Sequence, residues 1–308
     1  MQLQETLPIE LGGHESFPFR YSWPKKAVDQ VSDNPGVFTD RSAVVAFGVG
    51  KNMVRAIRHW ALALCVVSDS VQSEQTHGKA TLLEPTIIGR SLFSDNGWDP
   101  YIERIGTSWL LHWYLVADTQ RATTWSLAFS SLNRQEFTAD YLSKHIEDYL
   151  SRLGVERAAS TLKRDARCFF QTYVRDQQKS FVVAGPRECP LTELNLLTSL
   201  DSGRVFRFNF GPKPTLPPEV FGYTLGDYLI RRDGNMDHVS FEDCLWGFGS
   251  PGQAFKLDET SFITYVEMLE EMTSGDVQVD ETAGLKQIYI RDHETLKCLL
   301  RRYYEPAN

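Results

Sequence analysis

A helical periodicity that follows a glycine-rich turn is the feature that most constrains the fold of this chain. Gly48 and Gly50 favour a tight turn, and a short helix that ends at Phe47 precedes it, with Asp40 suited to cap that helix. After the turn, apolar residues recur at the spacing of one helical face: Met53, Val54, Ile57, Trp60, Ala61 and Leu64. Basic side chains are expected on the opposite, outward face: Lys51, Arg55, Arg58 and His59.

A short helix, a glycine turn and a second helix with a basic outer face are typical of a helix-turn-helix unit. The pattern predicts such a unit at residues 40–66, and residues 79–89 are predicted to form the strands of a wing. The alternative is a hairpin of two helices whose basic face is simply solvated.

A second basic stretch repeats this pattern. Residues 138–153 are amphipathic and end at Gly154, and Ser160 is suited to cap the helix that follows. That helix is expected to point three basic residues outward near its first turns: Lys163, Arg164 and Arg167. Recognition helices meet DNA in this way, whereas a packed helical hairpin is an equally good alternative.

The C-terminal part resembles a third, degenerate unit of the same kind. A helix capped by Asp258, a β-hairpin at residues 277–290 and a closing helix at residues 293–305 are predicted. From Leu257 to Glu281 there are eight acids and no Lys or Arg. Because an acidic face repels DNA, we expect this unit to contact a protein partner.

The acidic total does not exclude a nucleic-acid partner. The formal net charge is −8, and the segment 257–281 alone carries −8, so the remainder of the chain sums to zero. Residues 41–59 carry +4, and residues 152–175 carry six bases against two acids, also +4. Local clusters of charge, more than the net charge, determine the electrostatic potential that a phosphate backbone experiences.

These patterns together predict an α+β protein, mostly helical, that is built of helix-turn-helix or winged-helix-like units with short β-hairpins. The predicted domains are residues 1–130, 131–215 and 216–308, and the proline-rich string GPKPTLPP at 211–218 is the most linker-like segment. No apolar run approaches the roughly 20 residues of a membrane helix. The five cysteines lack a paired spacing, so we expect reduced thiols and a cytoplasmic location without membrane contact.

Five strings carry a resemblance to a known family: GHESFPFRYSWPKKA, VVAFGVGKNMVRAIRHW, GWDPYIERIGTSWLLHWYL, STLKRDARCFFQTYV and SPGQAFKLDE. Over residues 10–265 the chain resembles an uncharacterised-domain family of bacterial proteins that are commonly encoded beside genes for DNA phosphorothioation. Within it, the chain is similar to the DNA-nicking component of Ssp-type single-strand phosphorothioation and phage-defence systems. The resemblance implies a magnesium-dependent DNA nickase that acts with a cysteine desulfurase, an ATPase and an ATP-pyrophosphatase-like sulfurtransferase.

Three acids are candidates for the magnesium ligands. Mg²⁺ held by one or two carboxylates polarises a phosphate and lowers the pKa of bound water. Asp95, Asp99 and Glu103 are close in sequence, and we expect Asp99 and Glu103, with Asp95 beside them, to hold the metal. Helix capping is the stronger alternative, because Asp99 precedes Pro100 and Glu103 would lie in the first turn.

The string HESFPFRYSWPKK is the second candidate site. His14 and Glu15 are predicted to supply a catalytic base and a ligand. Arg20 and Lys25 lie among aromatic residues, a mixture that suits contact with phosphate and stacking on unpaired bases. The alternative is a buried strand in which Arg20 pairs with an acid.

Lys256, in the string SPGQAFKLDE, is a further candidate for a phosphate contact, although a structural role for the whole string is the stronger alternative. The Gly-Lys pair of GVGKN lacks the other residues of a phosphate-binding loop, which disfavours ATP hydrolysis. Besides a nickase, the patterns leave two functions open: a non-catalytic DNA-binding adaptor that recruits the sulfur-transfer enzymes, and a transcriptional regulator.

Overall fold

The computed structural model describes residues 9–70, 82–175, 189–233, 237–282 and 285–306. Within these ranges the α-helices are α1 Ser22–Asp33, α2 Ala43–Phe47, α3 Lys51–Ala63, α4 Ile87–Phe93, α5 Ile105–Ala117, α6 Thr123–Ser130, α7 Ala139–Arg152, α8 Ala159–Tyr173, α9 Pro218–Asp233, α10 Phe241–Trp246, α11 Pro251–Phe255, α12 Glu259–Met272 and α13 His293–Tyr304. The strands are β1 Val67–Asp69, β2 Leu83–Pro85, β3 Glu136–Phe137, β4 Leu197–Leu200, β5 Val205–Phe208, β6 His238–Ser240, β7 Val277–Thr282 and β8 Leu285–Ile290.

The strands form small antiparallel sheets. β1 pairs with β2, and the two three-stranded sheets have the strand orders β3-β5-β4 and β6-β8-β7. In both three-stranded sheets, the strand that comes last in the sequence lies in the middle. The described part of the chain is therefore mostly helical with small antiparallel sheets, which confirms the α+β prediction.

Local sequence signals place several elements correctly. Thr138 Oγ1 accepts a hydrogen bond from Tyr141 N at 3.2 Å at the start of α7, and Asp258 Oδ1 accepts one from Ser261 N at 2.8 Å at the start of α12. The predicted C-terminal hairpin and closing helix are present as β7, β8 and α13. In α7 and α12, the capping side chain lies three residues before the backbone amide that it satisfies.

The predicted wing after α3 differs from the structure. Residues 79–81 lie outside the described residues, and β2 occupies only Leu83–Pro85. The strand prediction through Gly89 is wrong, because Thr86 Oγ1 accepts a hydrogen bond from Gly89 N at 2.9 Å and starts α4 at Ile87. A threonine that caps a helix thus ends the β-strand.

Helix α5 forms the centre of the core. Every residue from Gly106 to Val116 is buried, as expected of a helix that is apolar on all sides. His112 is fully buried: its Nδ1 hydrogen-bonds to Tyr173 Oη of α8 at 2.8 Å, and its Nε2 hydrogen-bonds to the Ala254 carbonyl of α11 at 2.8 Å. His112 is therefore a core histidine with both ring nitrogens occupied, and through it α5 joins α8 and α11.

None of the helices seen in the described ranges combines the length and the apolar character that a membrane crossing requires.

Candidate nucleic-acid interface

The N-terminal loop, residues 10–16, lies between α3 and α8. His14 and Asp165 are both buried, and His14 Nε2 lies 3.0 Å from Asp165 Oδ1. Ser16 N donates to His14 Nδ1 at 3.0 Å. Because Nδ1 accepts this bond, Nε2 carries the proton and donates to Asp165. Both ring nitrogens of His14 are therefore occupied within the protein, which favours an anchoring role for a residue predicted to be a base.

Asp165 joins three parts of the chain. Its Oδ2 accepts hydrogen bonds from Gly12 N at 3.3 Å and from Thr124 Oγ1 of α6 at 3.2 Å. A buried carboxylate is stable only when hydrogen-bond donors surround it, and here they come from the N-terminal loop and α6. The loop is thus anchored on α8, the second predicted recognition helix.

Two glycines let the N-terminal loop run close to both helices. Gly12 has a φ of +78°, and a Cβ there would lie 2.6 Å from Arg164 Nη2 of α8. A Cβ at Gly13 would lie 2.5 Å from His59 Nδ1 of α3 and 2.6 Å from Glu10 Oε1. The positive φ of Gly12 and the buried His59 ring beside Gly13 therefore favour glycine at these two positions, whereas the ends of the Arg164 and Glu10 side chains could move aside.

The structure brings the two basic stretches of the sequence together at this loop. Arg55 Nη1 of α3 lies 3.4 Å from Glu15 Oε1, and Arg164 of α8 borders Gly12. Burial raises the pKa of Glu10, whereas three arginines around it act in the opposite direction: Arg58, Arg121 and Arg157. We call the arginines that border the N-terminal loop the basic surface: Arg55, Arg58, Arg121, Arg157 and Arg164.

Several predicted DNA-binding positions form no ion pair within the described residues. Within the described residues, no carboxylate lies at ion-pairing distance from Lys51, Arg58, Arg164 or Arg167. Lys163 Nζ lies 3.9 Å from Asp140 Oδ1, and both side chains are largely exposed, so that pair is weak. These cations are available to a phosphate backbone.

His59 does not face outward as predicted. It is buried, and burial, then His14 and Arg58, lower its pKa to about 3. The prediction of an outward-facing side chain is wrong because the N-terminal loop covers this part of α3. The His59 ring packs edge-on against the rings of Trp60 and His14, with centroid distances of 5.3 and 5.9 Å. Within the described residues, His59 Nε2 has no hydrogen-bond partner.

Lys25 is also unsuited to the exposed contact with DNA that the sequence predicts. Its side chain is only 12% exposed, and Nζ lies 3.0 Å from Asp29 Oδ1 and 2.9 Å from Asp95 Oδ1. Two carboxylates therefore neutralise its charge. This pairing also engages Asp95, one of the predicted metal ligands.

The aromatic residues around Arg20 belong to the core. Residues 17–21 form no strand, which contradicts the buried-strand alternative, and α1 begins at Ser22. Phe19 and Trp23 are buried, and the Arg20 guanidinium lies over the Trp23 ring at 5.4 Å. The alternation therefore reflects packing of the segment that leads into α1.

The three predicted metal ligands do not converge. Asp99 is buried: its Oδ1 accepts from Glu103 N at 2.8 Å, and its Oδ2 accepts from Arg104 N at 3.0 Å and from Thr107 Oγ1 at 2.6 Å. The side chain of Glu103 is exposed, and Asp95 pairs with Lys25. Together these carboxyls do not fit a shared Mg²⁺, and no group of three or more potential metal ligands occurs in the described residues. The contacts of Asp99 match the capping alternative, although α5 begins at Ile105 and not at Pro100.

The string around Asp99 also holds the C-terminal helix, which the sequence did not reveal. The Trp98 ring stacks on Tyr304 of α13 at 5.0 Å, and Trp98 Nε1 donates to Glu305 Oε1 at 2.8 Å. Thr107 Oγ1 lies 2.7 Å from Tyr304 Oη. The side chains of Trp98 and Thr107 thus join this string to the C-terminal helix.

Lys256 is buried, which contradicts the phosphate contact and agrees with the structural alternative. Its Nζ donates to the Phe129 carbonyl and to Gln253 Oε1, and lies 4.4 Å from the centre of the Phe208 ring. Burial lowers the pKa of Lys256 from its ordinary value of 10.5 to about 7. The lysine therefore serves the core, at the carboxyl end of α6.

The depressed pKa of Lys256 predicts a pH-dependent contribution to stability. Between pH values of about 7 and 10.5, this lysine is protonated in the unfolded chain but not in the folded protein. The free energy of unfolding therefore rises with pH through this range. We expect the free energy of unfolding of the wild type, measured in urea, to rise with pH relative to that of Lys256→Met. The exposed Lys144→Met variant is the control and should follow the wild type, and a constant difference between wild type and Lys256→Met would contradict the prediction.

Comparison with known proteins extends over almost the whole chain. Two solved structures, described as a magnesium ion-bound SspB crystal structure and an SspB crystal structure, each share 28% sequence identity with it at a TM-score of 0.87. The alignments cover 96% and 97% of this chain, and 88% and 90% of the respective structures. A search among proteins of curated function gave no match.

A family model matches residues 11–304. This range extends past residue 265, where the resemblance seen in the sequence ended, and it includes the rest of α12 and all of β7, β8 and α13. The match confirms the predicted membership of an uncharacterised-domain family. The chain belongs to the family described as protein of unknown function (DUF4007).

Proposed function

We propose that this chain binds DNA as a component of an Ssp-type phosphorothioation system and nicks it in a magnesium-dependent reaction. The observation that carries the proposal is the meeting of α3 and α8 at the N-terminal loop, which joins two basic stretches into the basic surface. A duplex presents closely spaced phosphates, so arginines gathered on one surface bind it better than arginines scattered over the chain. Similarity to SspB over the whole length supports the assignment to the Ssp system.

The topology supports three winged-helix-like units. In the second, α7 and α8 follow β3, and β4 and β5 return with β5 in the middle of the sheet. In the third, α10 to α12 follow β6, and β7 and β8 return in the same way. The first has α2, α3 and the pair β1–β2. In this reading α3 and α8 occupy the position of recognition helices.

The third unit is proposed to contact protein and not DNA. Helix α12 of this unit corresponds in position to α3 and α8 of the other two units. The exposed face of α12, however, carries Glu267, Glu270 and Glu271. The proposed partners are the cysteine desulfurase, ATPase and sulfurtransferase components of the system, and a basic surface on one of them would complement this helix.

Dependence on Mg²⁺ is supported by the similarity to a magnesium ion-bound SspB structure. Nicking is supported by the resemblance of the sequence to the DNA-nicking component of Ssp-type systems. Two carboxylates that could take part in phosphodiester hydrolysis, those of Glu10 and Glu15, lie next to arginines of the basic surface. A DNA-binding adaptor without catalysis is the second candidate, favoured by the dispersal of Asp95, Asp99 and Glu103.

Supercoiled plasmid tests both candidates. We expect the pure protein to convert it to open circles with Mg²⁺ and not with EDTA. Tight DNA binding without nicking at any metal concentration would support the adaptor, and the absence of both would refute the proposed function.

Single substitutions on the basic surface are expected to weaken DNA binding. Arg164→Ala or Arg55→Ala removes one phosphate contact, so each should lower affinity for all sequences alike and reduce the slope of log K against log salt by about one. Gel shifts at several salt concentrations measure both quantities. Lys297→Ala is the control, because Lys297 is an exposed lysine of α13 that pairs with Glu294 at 2.6 Å. If the slope of log K against log salt is unchanged in both arginine variants, DNA does not bind at this surface.

A further inference from the structure

Glu10 occupies an unusual position within the basic surface. Its side chain is 50% exposed, and Oε1 lies 3.9 Å from Nδ1 of the buried His59. We propose that Glu10 accepts the proton of the attacking water in the nicking reaction, and that His59 is the positioning residue that orients the Glu10 carboxylate. This inference rests on the nicking function proposed above and assigns the proton acceptor, which the sequence had placed at His14 and Glu15.

The burial of His59 is the first argument. The ring is 7% exposed, and its Nε2 has no hydrogen-bond partner in the described residues. A buried polar atom without a partner costs about 1–3 kcal/mol, which a phenylalanine of similar shape would avoid. A histidine at this position is explained if Nδ1–H is directed at Glu10 and leaves Nε2 as the unpaired acceptor.

The separation of Glu10 and His59 suits a pair that tightens when substrate binds. At 3.9 Å the two atoms are just beyond hydrogen-bond distance. Catalytic hydrogen bonds are often long in free enzymes and shorten in the complex. Because burial holds the pKa of His59 at about 3, the ring stays neutral and orients the carboxylate without adding charge.

The charged groups around Glu10 suit a reaction at a phosphodiester. The charges of Arg58 on α3 and of the loop arginines Arg121 and Arg157 lower the pKa of Glu10, whereas the charge of Asp165 on α8 raises it. Burial raises the pKa of Glu10 toward the range in which a general base works at neutral pH. The arginines can hold the phosphate and stabilise the negative charge that develops in the transition state.

His14 cannot take this role without breaking its own contacts. Its Nδ1 accepts from Ser16 N and its Nε2–H donates to Asp165. The Glu10 side chain, in contrast, makes no hydrogen bond within the described residues, while Glu10 N donates to Thr123 Oγ1 at 3.1 Å. The carboxylate of Glu10 remains available for the reaction.

The proposed step is a hydrolysis. The oxygen of a water molecule attacks the phosphorus of one backbone phosphodiester while Glu10 takes a proton from that water. The bond between phosphorus and the leaving sugar oxygen breaks, and this oxygen takes a proton from solvent. Glu10 then returns its proton to solvent, so the step is balanced and involves no oxidation.

Glu10→Gln is the first test. We expect the single-turnover rate of plasmid nicking to fall by about 10²–10⁴-fold, the contribution of general base catalysis, while DNA affinity stays within a few-fold of wild type. The Glu147→Gln variant removes the same charge at an exposed glutamate of α7 that pairs with Lys144, and it should nick normally. A Glu10→Gln variant that nicks normally would overturn the proposal, and loss of nicking in Glu15→Gln alone would return the role to the residue predicted from the sequence.

His59 is tested by a pair of variants. We expect His59→Phe to fold with unchanged or higher thermal stability, to lower kcat with little change in KM, and to shift the acidic limb of the pH–rate profile. His59→Gln keeps a donor and should recover part of kcat. Equal kcat and pH profiles in wild type and a folded His59→Phe would overturn the positioning role. If the wild type binds DNA but never nicks it, the proposed nicking function fails, and this inference with it.

Discussion

Replacement of Asp165 by alanine is expected to lower the free energy of unfolding by about 3–5 kcal/mol, because removing one member of a buried polar pair leaves its partner unpaired. His14 Nε2–H, Gly12 N–H and the Thr124 hydroxyl would all lose their acceptor. Each buried donor without a partner adds a desolvation cost. The N-terminal loop would lose its attachment to α8 as well.

Urea denaturation measures this loss of free energy of unfolding, and two further variants serve as comparisons. Asp165→Asn keeps an acceptor oxygen for His14 and should cost less than Asp165→Ala. Asp148→Ala is the control, because Asp148 is 54% exposed on α7 and its loss should change stability by no more than about 0.5 kcal/mol. A loss below about 1 kcal/mol in Asp165→Ala would show that the buried contacts do not anchor the loop.

The second large effect is expected at Asp99. Asp99→Ala removes the acceptor for Glu103 N, Arg104 N and the Thr107 hydroxyl, so we expect a loss of about 3 kcal/mol or more. Thr107 also contacts Tyr304, so the docking of α13 should weaken at the same time.

Comparison of Mg²⁺ with EDTA separates capping from ligation at Asp99. If Asp99 is a cap, Asp99→Ala lowers the free energy of unfolding by the same amount in Mg²⁺ and in EDTA, and Asp99→Asn recovers part of that loss. If Asp99 binds metal, Mg²⁺ stabilises the wild type and not the variant. Asp95→Ala provides the control, since the Asp95 side chain is 92% exposed and little stability should depend on it.

Several features of the fold could be predicted because their causes are local. The amphipathic periodicity predicts α3, α7 and α8, and the caps at Thr138 and Asp258 lie within three residues of the amides they accept from. The strand prediction beyond Pro85 failed at a position where the deciding signal, Thr86, was also local. Periodicity distinguishes an inner from an outer helical face, but it does not identify what covers the outer one.

The candidate site depended on contacts between distant segments. His14 meets Asp165 across 151 residues, so the sequence did not indicate that both ring nitrogens of His14 are occupied. His59 lies on the predicted outer face of α3, and the N-terminal loop buries it. Glu10 was not singled out at all, because a lone glutamate acquires its character only from the arginines and the histidine that the fold brings around it.

The sequence by itself determined the helical pattern, the two basic stretches, the acidic C-terminal segment and the family resemblance, since each is a property of neighbouring residues or of a continuous string. Only the tertiary structure decided that the two basic stretches meet at one loop, that Lys25 and Lys256 are withdrawn from solvent, and that Asp99 is fully engaged within the protein. The physical reason is that charge, pKa and hydrogen-bonding capacity depend on burial and on partners, and both are set by packing between segments far apart in the chain.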